Sequence, residues 1–600
     1  MTTYKKYPII KYTSRDFNSI RQDLVEYAKK YYSDTFKDFN EAGFGSLMID
    51  SVSYIGDILS FYLDYSVNES FLDTAIEFEN VLKIGRQLGY KFPGNPAAFG
   101  QVELYVIVPA LSTGAGPDLS YLPILKRGST FTSQNGSSYS LVENINFNDS
   151  RNETVVARVN STTGAPISYA VKTAGQVVSG ITQVQQISVG AFQKFLKIPL
   201  NATDITEIVS VVDAEGNEYF EVDYLTQDII YRATPNRGSD NTVTQSKIVP
   251  YVAPRRFVSI REEETTSIQF GFGSVVDSDS VDSLLDPSKT VIKQHGRNYF
   301  TETSFDPTNL LDSDKMGVAP SNTTLTVTYR VNNSVNVNAA ANTITNVGSP
   351  QFEFVDQNSL NSTEVSNVIN SLQVNNDEPV IGSVTDPTTD ELKKRIYSAY
   401  SSQNRAVTEA DYKSLCYSMP PQFGAVKRAN IKRDPNSLKR NLNLYVLSED
   451  NFGNFTAPNS SLKQNLKIWL NASRMINDTI DILDAKIINI GIEYTAVAGL
   501  DANKYELLDI ANTRLQQFYN QKLEIGDPFY ITDVFNEVNK IEGIIDVSRV
   551  KIVHKNGVNY SQQAFNLDES YSDDGRYIIA PTNAVFEIKF PDVDIKGTIK

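Results

Sequence analysis

The single cysteine of this 600-residue chain, Cys416, is the first residue to consider for covalent chemistry. A cysteine acts as a nucleophile through its thiolate, which needs an exposed and electropositive setting. Cys416 instead follows Leu415 and precedes Met419 by three residues, a spacing typical of the apolar face of a helix. We therefore expect Cys416 to be a core residue. One cysteine also excludes an internal disulfide framework and a cysteine-rich metal site.

The chain has few histidines that could serve in catalysis or metal binding. The chain contains two histidines, His295 and His554, which are far apart and lack paired spacing. These histidines are therefore a poor basis for a Ser–His–Asp triad or a histidine-rich metal site. A pH trigger built from clustered histidines is disfavoured for the same reason.

Three carboxylates, Asp50, Asp57 and Asp64, recur every seven residues. Seven residues of an α-helix span about 10.5 Å, so successive carboxylates are too far apart to share one metal ion. We interpret these aspartates as a stripe that faces solvent or a partner.

Two further stretches match ligand-binding loops only in part. Asp277, Asp279 and Asp282 suggest a calcium loop, but Asp282 and Ser288 occupy positions at which an EF-hand needs glycine and glutamate. Residues Gly271–Gly273 resemble the start of a dinucleotide fingerprint but lack its third glycine and its helix, which favours a tight β-turn. The sequence therefore predicts no catalytic residue, no cofactor and no metal site.

Composition limits the class of partner. The chain has 55 basic and 71 acidic residues, a net charge of −16, and phosphate binding needs a basic face, so no nucleic acid is expected. No apolar run reaches the length of about 18 residues that a membrane-spanning helix needs. The N-terminus lacks an apolar core of signal-peptide length, which predicts synthesis and retention in a cytosol-like compartment.

The elements that would position these residues begin with a helical segment over residues 1–96. Thr13 with Asp16 predicts the start of a first helix, and the capping box Thr74–Glu77 predicts the start of a third. A longer helix is expected between them, over residues 46–68. Its apolar stripe is wider than one neighbouring helix would cover, so we predict that part of it binds another chain. The residues of this candidate interface are Met48, Val52, Ile55, Ile58, Leu59, Tyr62 and Leu63.

The rest of the chain predicts β-rich and mixed domains. Short alternating runs, such as Val102, Leu104, Val106 and Val108, predict one or two β-rich domains over residues 97–333. The polar stretch 334–390 is expected to be a connection that acts as a hinge. Helices and strands alternate over 391–600, which predicts C-terminal α+β sandwich domains. The predicted fold class is therefore multidomain α+β.

A pattern of helix, turn and strand occurs twice in the C-terminal region. Thr408 and Asp411 form a capping-box pattern, and Gly424 precedes the following strand. Thr532 and Gly543 occupy the corresponding positions in a weak internal repeat.

Several stretches together resemble the baseplate J-like family. They are the opening YTSRDFNSI, the long stretch DFNEAGFGSLMIDSVSYIGDILSFYLDYSVNESFLDTA, LKIGRQLGY, AVTEADYKSL, and the turn and strand Gly424–Arg428. More closely, the chain is similar to the baseplate wedge proteins of T-even-type contractile-tailed bacteriophages. The likeness covers both ends and, more loosely, the middle, where SIQFGFG resembles the family's FGDG turn with Phe272 in place of the aspartate.

This resemblance implies a structural, non-enzymatic wedge subunit in the tail baseplate of a virion, assembled in the host cytoplasm. Its N-terminal helices are expected to join a long helical partner subunit, with two copies of this chain per wedge. Its C-terminal domains are expected to pair as homodimers between wedges, closing a ring around the central hub that rearranges when the sheath contracts. The sheath-initiating subunit is a further expected neighbour. Two different contacts per subunit suit ring closure, because an isologous pair alone stops at a dimer.

The alternative is a β-rich tail-associated protein that binds or hydrolyses glycans. Two carboxylates suffice for glycoside hydrolysis. A chain with 71 acidic residues always offers some pair, so the sequence leaves this alternative open.

Overall fold

The computed structural model describes residues 15–32, 43–111, 116–235, 246–262, 265–273 and 316–600, except positions 333, 335, 436, 438–440, 500–501 and 520–522. Thr13, His295 and the aspartates at 277–282 lie outside the described residues. The chain divides into two compact units. The first combines Met1–Lys91 with Pro387–Tyr400, and the second combines Phe92–Asp386 with Ser401–Lys600.

The described helices are few in the middle of the chain and frequent at both ends. In chain order they are α1 (Phe17–Tyr31), α2 (Phe44–Asn68), α3 (Phe78–Gln87), α4 (Ser362–Asn370), α5 (Thr389–Ser402), α6 (Glu409–Tyr417), α7 (Ser460–Asn471), α8 (Lys504–Tyr519), α9 (Ile531–Asn539) and α10 (Pro591–Asp594).

The strands occupy the second unit. Before α5 they are β1 (Phe99–Pro109), β2 (Ile124–Leu125), β3 (Thr130–Ser133), β4 (Ser138–Leu141), β5 (Ile145–Asn146), β6 (Glu153–Val159), β7 (Pro166–Ser179), β8 (Ile181–Val189), β9 (Lys197–Pro199), β10 (Ile205–Val212), β11 (Glu218–Glu221), β12 (Ile229–Pro235), β13 (Ser246–Val252), β14 (Arg256–Arg261), β15 (Thr266–Phe270), β16 (Thr323–Val331), β17 (Ile344–Ser349), β18 (Phe352–Glu353) and β19 (Gln373–Asn375). After α6 they are β20 (Arg428–Arg433), β21 (Asn441–Glu449), β22 (Phe455–Thr456), β23 (Thr479–Asp484), β24 (Lys486–Ala498), β25 (Phe529–Tyr530), β26 (Ile544–His554), β27 (Tyr577–Ile578), β28 (Ala584–Glu587) and β29 (Ile595–Ile599).

Two large sheets form the β-rich part of the second unit. One has the order β17-β3-β4-β7-β1-β19, with β6 added beside β7, and the other has the order β8-β16-β10-β11-β14-β15-β9. Val102, Leu104, Val106 and Val108 alternate with exposed or half-buried residues along β1, so their side chains enter the core of the first sheet. The predicted period of two is therefore confirmed in this strand.

The stretch 334–390, which the sequence analysis interprets as a polar hinge, is folded. It contains β17, β18, α4 and β19, and Val365 and Val368 belong to the core of the first sheet. Its polar residues are used inside the protein. Buried Asn376, for example, accepts hydrogen bonds from the N–H groups of Thr343 and Ile344. A polar composition therefore signals internal hydrogen bonding here, and the segment is part of the β-rich fold.

The C-terminal part consists of two α/β layers. Helices α6 and α7 share a core with the sheet of β20, β21, β22 and β23. Helices α8 and α9 share a core with the sheet in which β24 pairs with β26, β28 and β29. The helical N-terminal segment, β-rich middle and mixed C-terminal region confirm the predicted multidomain α+β class.

The internal repeat is visible as two helix–turn–strand units. Helix α6 leads through Gly424 to β20, and α9 leads through Gly543 to β26, each glycine having a positive φ, 89° and 97° respectively. Only the first unit has the predicted cap, because Thr408 and Asp411 form a reciprocal capping box. Thr532 lies inside α9, whose N-cap is Tyr530 and makes no side-chain hydrogen bond.

Replacing Thr408 by alanine removes the hydroxyl that accepts from the N–H of Asp411 at 3.2 Å. We expect the free energy of opening of α6 to fall by about 1 kcal/mol, the usual contribution of such a cap. Amide hydrogen exchange of α6 in the full-length chain measures this change. Thr408→Ser keeps the hydroxyl and serves as the control. Unchanged exchange in the alanine variant would show that the capping box does not stabilise α6.

Candidate partner-binding surface

The charged residues of α2 share one side of the helix, and that side faces α1. Arg21 Nε lies 2.5 Å from an oxygen of Asp50, and Arg15 lies 2.8 Å from an oxygen of Asp64. Asp57 lies between the two aspartates on the same side, because seven residues make nearly two full turns. Asp50 and Asp64 pair within the chain, and their side chains remain 37% and 44% exposed, so the interpretation of this stripe as facing solvent holds in part.

The contact between α1 and α2 is made close by small residues. Ser46 and Ser53 are buried in the seam that contains the aspartates. A Cβ atom at Gly56 would lie 3.2 Å from the Cδ1 atom of Ile20, so α1 passes close to the backbone of α2. The ion pairs run from residue 15 to residue 64 and from residue 21 to residue 50, so the two helices are antiparallel.

The opposite side of α2 is apolar, uncharged and exposed. We call it the outer face of α2 and define it by Met48, Val52, Ile55, Leu59, Tyr62 and Leu63, which are 49–64% exposed. Helical spacing places these residues away from the aspartate seam. Ile58, the seventh predicted interface residue, is half-buried. That these seven residues bind a partner stays a prediction.

Sequence reasoning missed other exposed apolar residues on α2. Phe44, Leu47, Tyr54 and Phe61 flank the outer face and are 58–74% exposed. The signal that identifies them is the near absence of charge, since the 25 residues of α2 include only three charged side chains. A helix that is apolar around most of its circumference is normally buried, and monomers rarely expose so large an apolar patch.

A carboxylate at the C-terminal end of α2 positions the start of α3. Glu69 accepts hydrogen bonds from the N–H of Ile76 at 2.8 Å, from the N–H of Glu77 at 3.4 Å and from the side chain of Asn80 at 2.9 Å. These bonds, that from Ile76 foremost, lower the pKa of Glu69 below its ordinary value of 4.5. Glu69 thus satisfies the N–H groups of the two residues that directly precede α3.

The capping box predicted at Thr74–Glu77 does not form. The Thr74 hydroxyl donates to the carbonyl of Asn68 at 2.6 Å, and Glu77 is the N-cap residue of α3 without a side-chain cap. The carboxylate of Glu69, from an earlier turn of the chain, takes the role that the prediction gave to Thr74.

Helix α3 packs against α5 within the first unit. A Cβ atom at Gly85 would lie 2.7 Å from Ile396 Cδ1, and Leu392 and Ile396 are fully buried. Lys393 also donates to the carbonyl of Asp73 at 3.1 Å. The helix α5, which the sequence analysis grouped with the C-terminal region, thus supports the connection between α2 and α3.

The residues considered for covalent chemistry are poorly placed for it. Cys416 is 1% exposed, and burial raises the pKa of its thiol to about 12, which confirms that it is a core residue. Nε2 of His554 is buried and has no hydrogen-bond partner. Gly273 forms a parallel β-bridge with Val318 just after β15, and the tight turn expected at Gly271–Gly273 stays a prediction. Within the described ranges, no three His, Cys, Asp or Glu side chains are grouped to hold a metal ion.

The search for membrane spans gives a negative result. None of the helices in the described part of the chain combines the length and apolar character needed to cross a bilayer.

Comparison with known families assigns the segment that contains the outer face of α2. Residues 16–87 match the family model described as bacteriophage baseplate protein, N-terminal domain. This match supports a structural protein of a phage baseplate, located in the tail baseplate of the virion and in contact with other baseplate proteins.

No curated protein matches the chain. Among solved structures, the chain is similar to one in the cryo-EM structure of the anti-feeding prophage (AFP) baseplate, 6-fold symmetrised, at 8% identity over 94% of this chain and 90% of that chain, with a TM-score of 0.24. A TM-score of this size supports no inference about the arrangement of the domains.

Glu69→Gln tests the role of the carboxylate in unit 1. Because the folded-state pKa of Glu69 is lowered, its contribution to stability is present above the ordinary value of 4.5 and is lost as the pH falls through the folded value. We therefore expect faster amide exchange in α3 of the variant at neutral pH, with the difference shrinking below pH 4.5. Glu143→Gln, at an exposed carboxylate of the β-rich part, is the control. A difference that persists at low pH would contradict this assignment.

Proposed function

We propose that this chain is a wedge subunit of a contractile phage tail baseplate, and that it joins partner subunits through the outer face of α2. The observation that carries the proposal is the uncharged, exposed outer face within the segment that matches the baseplate N-terminal domain. Since α1 pairs with the aspartate side of α2, the apolar side is left for another chain. The partner that fits is a helix, or several helices, with an apolar face and no charge at its centre.

Magnitudes indicate how much of α2 the partner covers. Full burial of a Val, Leu or Ile side chain contributes about 1.5–3 kcal/mol, so burying the exposed half contributes about 1 kcal/mol. Six such residues give about 6 kcal/mol, which only matches the lower range of the association cost of about 4–15 kcal/mol. A stable contact therefore also covers Phe44, Leu47, Tyr54 and Phe61, which requires more than one partner helix.

The proposal includes a second contact through the C-terminal region, where two copies of the chain form a homodimer. Several apolar side chains there are exposed, among them Ile476, Tyr505 and Ile545. Together the two contacts would join neighbouring wedges into a ring around the hub, with two copies per wedge and the sheath-initiating subunit nearby. The long helical subunit of the wedge would occupy the outer face of α2.

The proposed role is structural and does not include catalysis. The competing idea, glycan binding or hydrolysis, is distinguished by applying the purified chain to cell-wall substrate. Clearing of the substrate would favour the competing idea.

Ile55→Asp and Leu59→Asp place a carboxylate at the centre of the outer face. Because Ile55 and Leu59 are more than half exposed in the chain alone, we expect the isolated variants to keep the wild-type melting temperature. We expect their incorporation into baseplates to fall at least about tenfold, since each variant loses an apolar contact and buries a carboxylate without a partner. The measurement is the amount of the chain in particles assembled by a phage that depends on the supplied variant. Ile55→Leu conserves the apolar contact and should assemble normally. Normal incorporation of both aspartate variants would refute the proposed contact.

The homodimer is tested with the full-length chain by sedimentation at increasing concentration. We expect a dimer, and we expect Tyr505→Asp combined with Ile545→Asp to raise its dissociation constant at least about tenfold, because these exposed residues are candidates for the contact. Ile55→Asp should leave dimerisation unchanged. A chain that stays monomeric at the highest concentration would contradict the second contact.

A further inference from the structure

One buried asparagine connects the β-rich part of the second unit to the α/β layers that follow. Asn338 is 1% exposed. Its side-chain amide donates to the carbonyls of Ser383 at 2.8 Å and Glu449 at 2.9 Å, and its oxygen accepts from the N–H groups of Gly382 at 3.1 Å and Ser383 at 3.0 Å. The side chain thus uses all four of its ordinary hydrogen bonds and joins the β-rich part to the end of β21.

A buried ion pair lies in the next layer of the same contact. Lys427 Nζ is 3.1 Å from Glu449 Oε1, and the two side chains are 6% and 2% exposed. The Glu449 carboxylate also accepts from the N–H of Thr385 at 2.7 Å, and Lys427 donates to the Thr385 carbonyl at 3.1 Å. Thr385 precedes α5, whereas Lys427 and Glu449 follow it, so the hydrogen bonds of Thr385 to this pair join the two parts.

The backbones of the two parts meet without intervening side chains. Ala97 donates its N–H to the carbonyl of Pro421, and Ala425 donates its N–H to the carbonyl of Gly382, at 2.9 and 2.8 Å. Gly382 and Gly424 have positive φ values of 139° and 89°, and a Cβ atom at Gly382 would lie 2.7 Å from the carbonyl oxygen of Ala97. No side chain larger than hydrogen fits at this crossing without a shift of the backbone.

A helix cap adds a further connection. Asn459 caps α7 by accepting from the N–H of Leu462 at 2.9 Å. Its side-chain amide donates to the carbonyls of Phe99 at 2.6 Å and Pro379 at 3.0 Å, both in the β-rich part. The start of α7 is therefore attached to β1.

We propose that these contacts lock the described residues of 97–386 and those of the α/β layer at 403–484 into one rigid body. We define the joint by Asn338, Thr385, Lys427 and Glu449, with Gly382 and Gly424 at its backbone crossing. Opening it would break the bond of Asn338 to Glu449 and the bonds of Thr385 to the buried Lys427–Glu449 pair, and leaving such buried groups short of partners is costlier than bending a solvated linker. The close backbone crossing of the joint explains why glycine occurs at position 424, in the turn between α6 and β20.

One consequence concerns shape change and rests on the proposed baseplate function. If the ring rearranges during contraction, the joint does not bend, and the change is taken up at other contacts of the chain. The segment interpreted from its sequence as a hinge is the part that prevents bending.

Hydrogen exchange of the full-length chain in rising urea tests the joint directly. In the wild type, peptides from β1 and β7 and peptides from β20 and β21 should merge into one opening reaction before global unfolding. In Asn338→Ala, the β20 and β21 peptides should open separately, with protection about tenfold to a hundredfold below that of β1 and β7, the range expected for lost buried hydrogen bonds. Thr385→Val removes one hydroxyl at the ion pair, and in this variant too the β20 and β21 peptides should open before those of β1 and β7. This variant provides the test of the joint if Asn338→Ala does not fold.

Asn375→Ala is the matched control. Asn375 also donates from its amide group, but to Asn342 and Asp377 within the β-rich part, so its loss should leave the two sets merged. The joint is refuted if the wild type already shows two separate openings, or if the sets stay merged in every folded joint variant. These outcomes are independent of Ile55→Asp incorporation, so failure of the joint and failure of the baseplate proposal are distinguishable.

Discussion

The placement of three negative charges on one side of α2 constrains how the first unit can be completed. Asp50 pairs with Arg21 of α1 and Asp64 pairs with Arg15 just before α1, so α1 lies on that side, and the apolar side of α2 is exposed in the part of the chain that the structure describes. The charged side chains of a helix are stabilised by ion pairs or by water, whereas exposing leucine and isoleucine to water gives no stabilisation. In the described part of the chain α2 exposes an apolar surface, and the match to the bacteriophage baseplate protein N-terminal domain covers the same residues.

The second unit follows the opposite logic, because its polar residues are satisfied inside. Asn338, Asn376 and Asn459 are buried, and each makes hydrogen bonds to backbone groups from distant parts of the chain. Such bonds are directional, so they fix the relative position of the segments they join more tightly than apolar packing does. In the second unit, polar side chains therefore hold distant segments together, whereas α2 of the first unit exposes apolar side chains.

Local sequence patterns predict the structure correctly where the interactions that determine an element involve residues close in sequence. The Thr408–Asp411 capping box, the alternation along β1 and the burial of Cys416 all follow from neighbours within a few residues. The predictions for the start of α3 and for the hinge failed for a shared reason. Glu69 accepts from Ile76, seven residues on and outside the residues that a capping-box pattern considers, and the side chain of Asn338 finds its partners more than 40 residues away.

For this protein the sequence by itself determined that the N-terminal segment is helical and which face of α2 is apolar, because helix periodicity and charge spacing are properties of consecutive residues. Only the tertiary structure decided that the aspartates turn toward α1, that α5 supports α3, and that the polar stretch 334–390 is folded. A polar side chain can form its hydrogen bonds either with water or with buried groups of the protein. Its environment is therefore set by the distant groups that the fold brings to it.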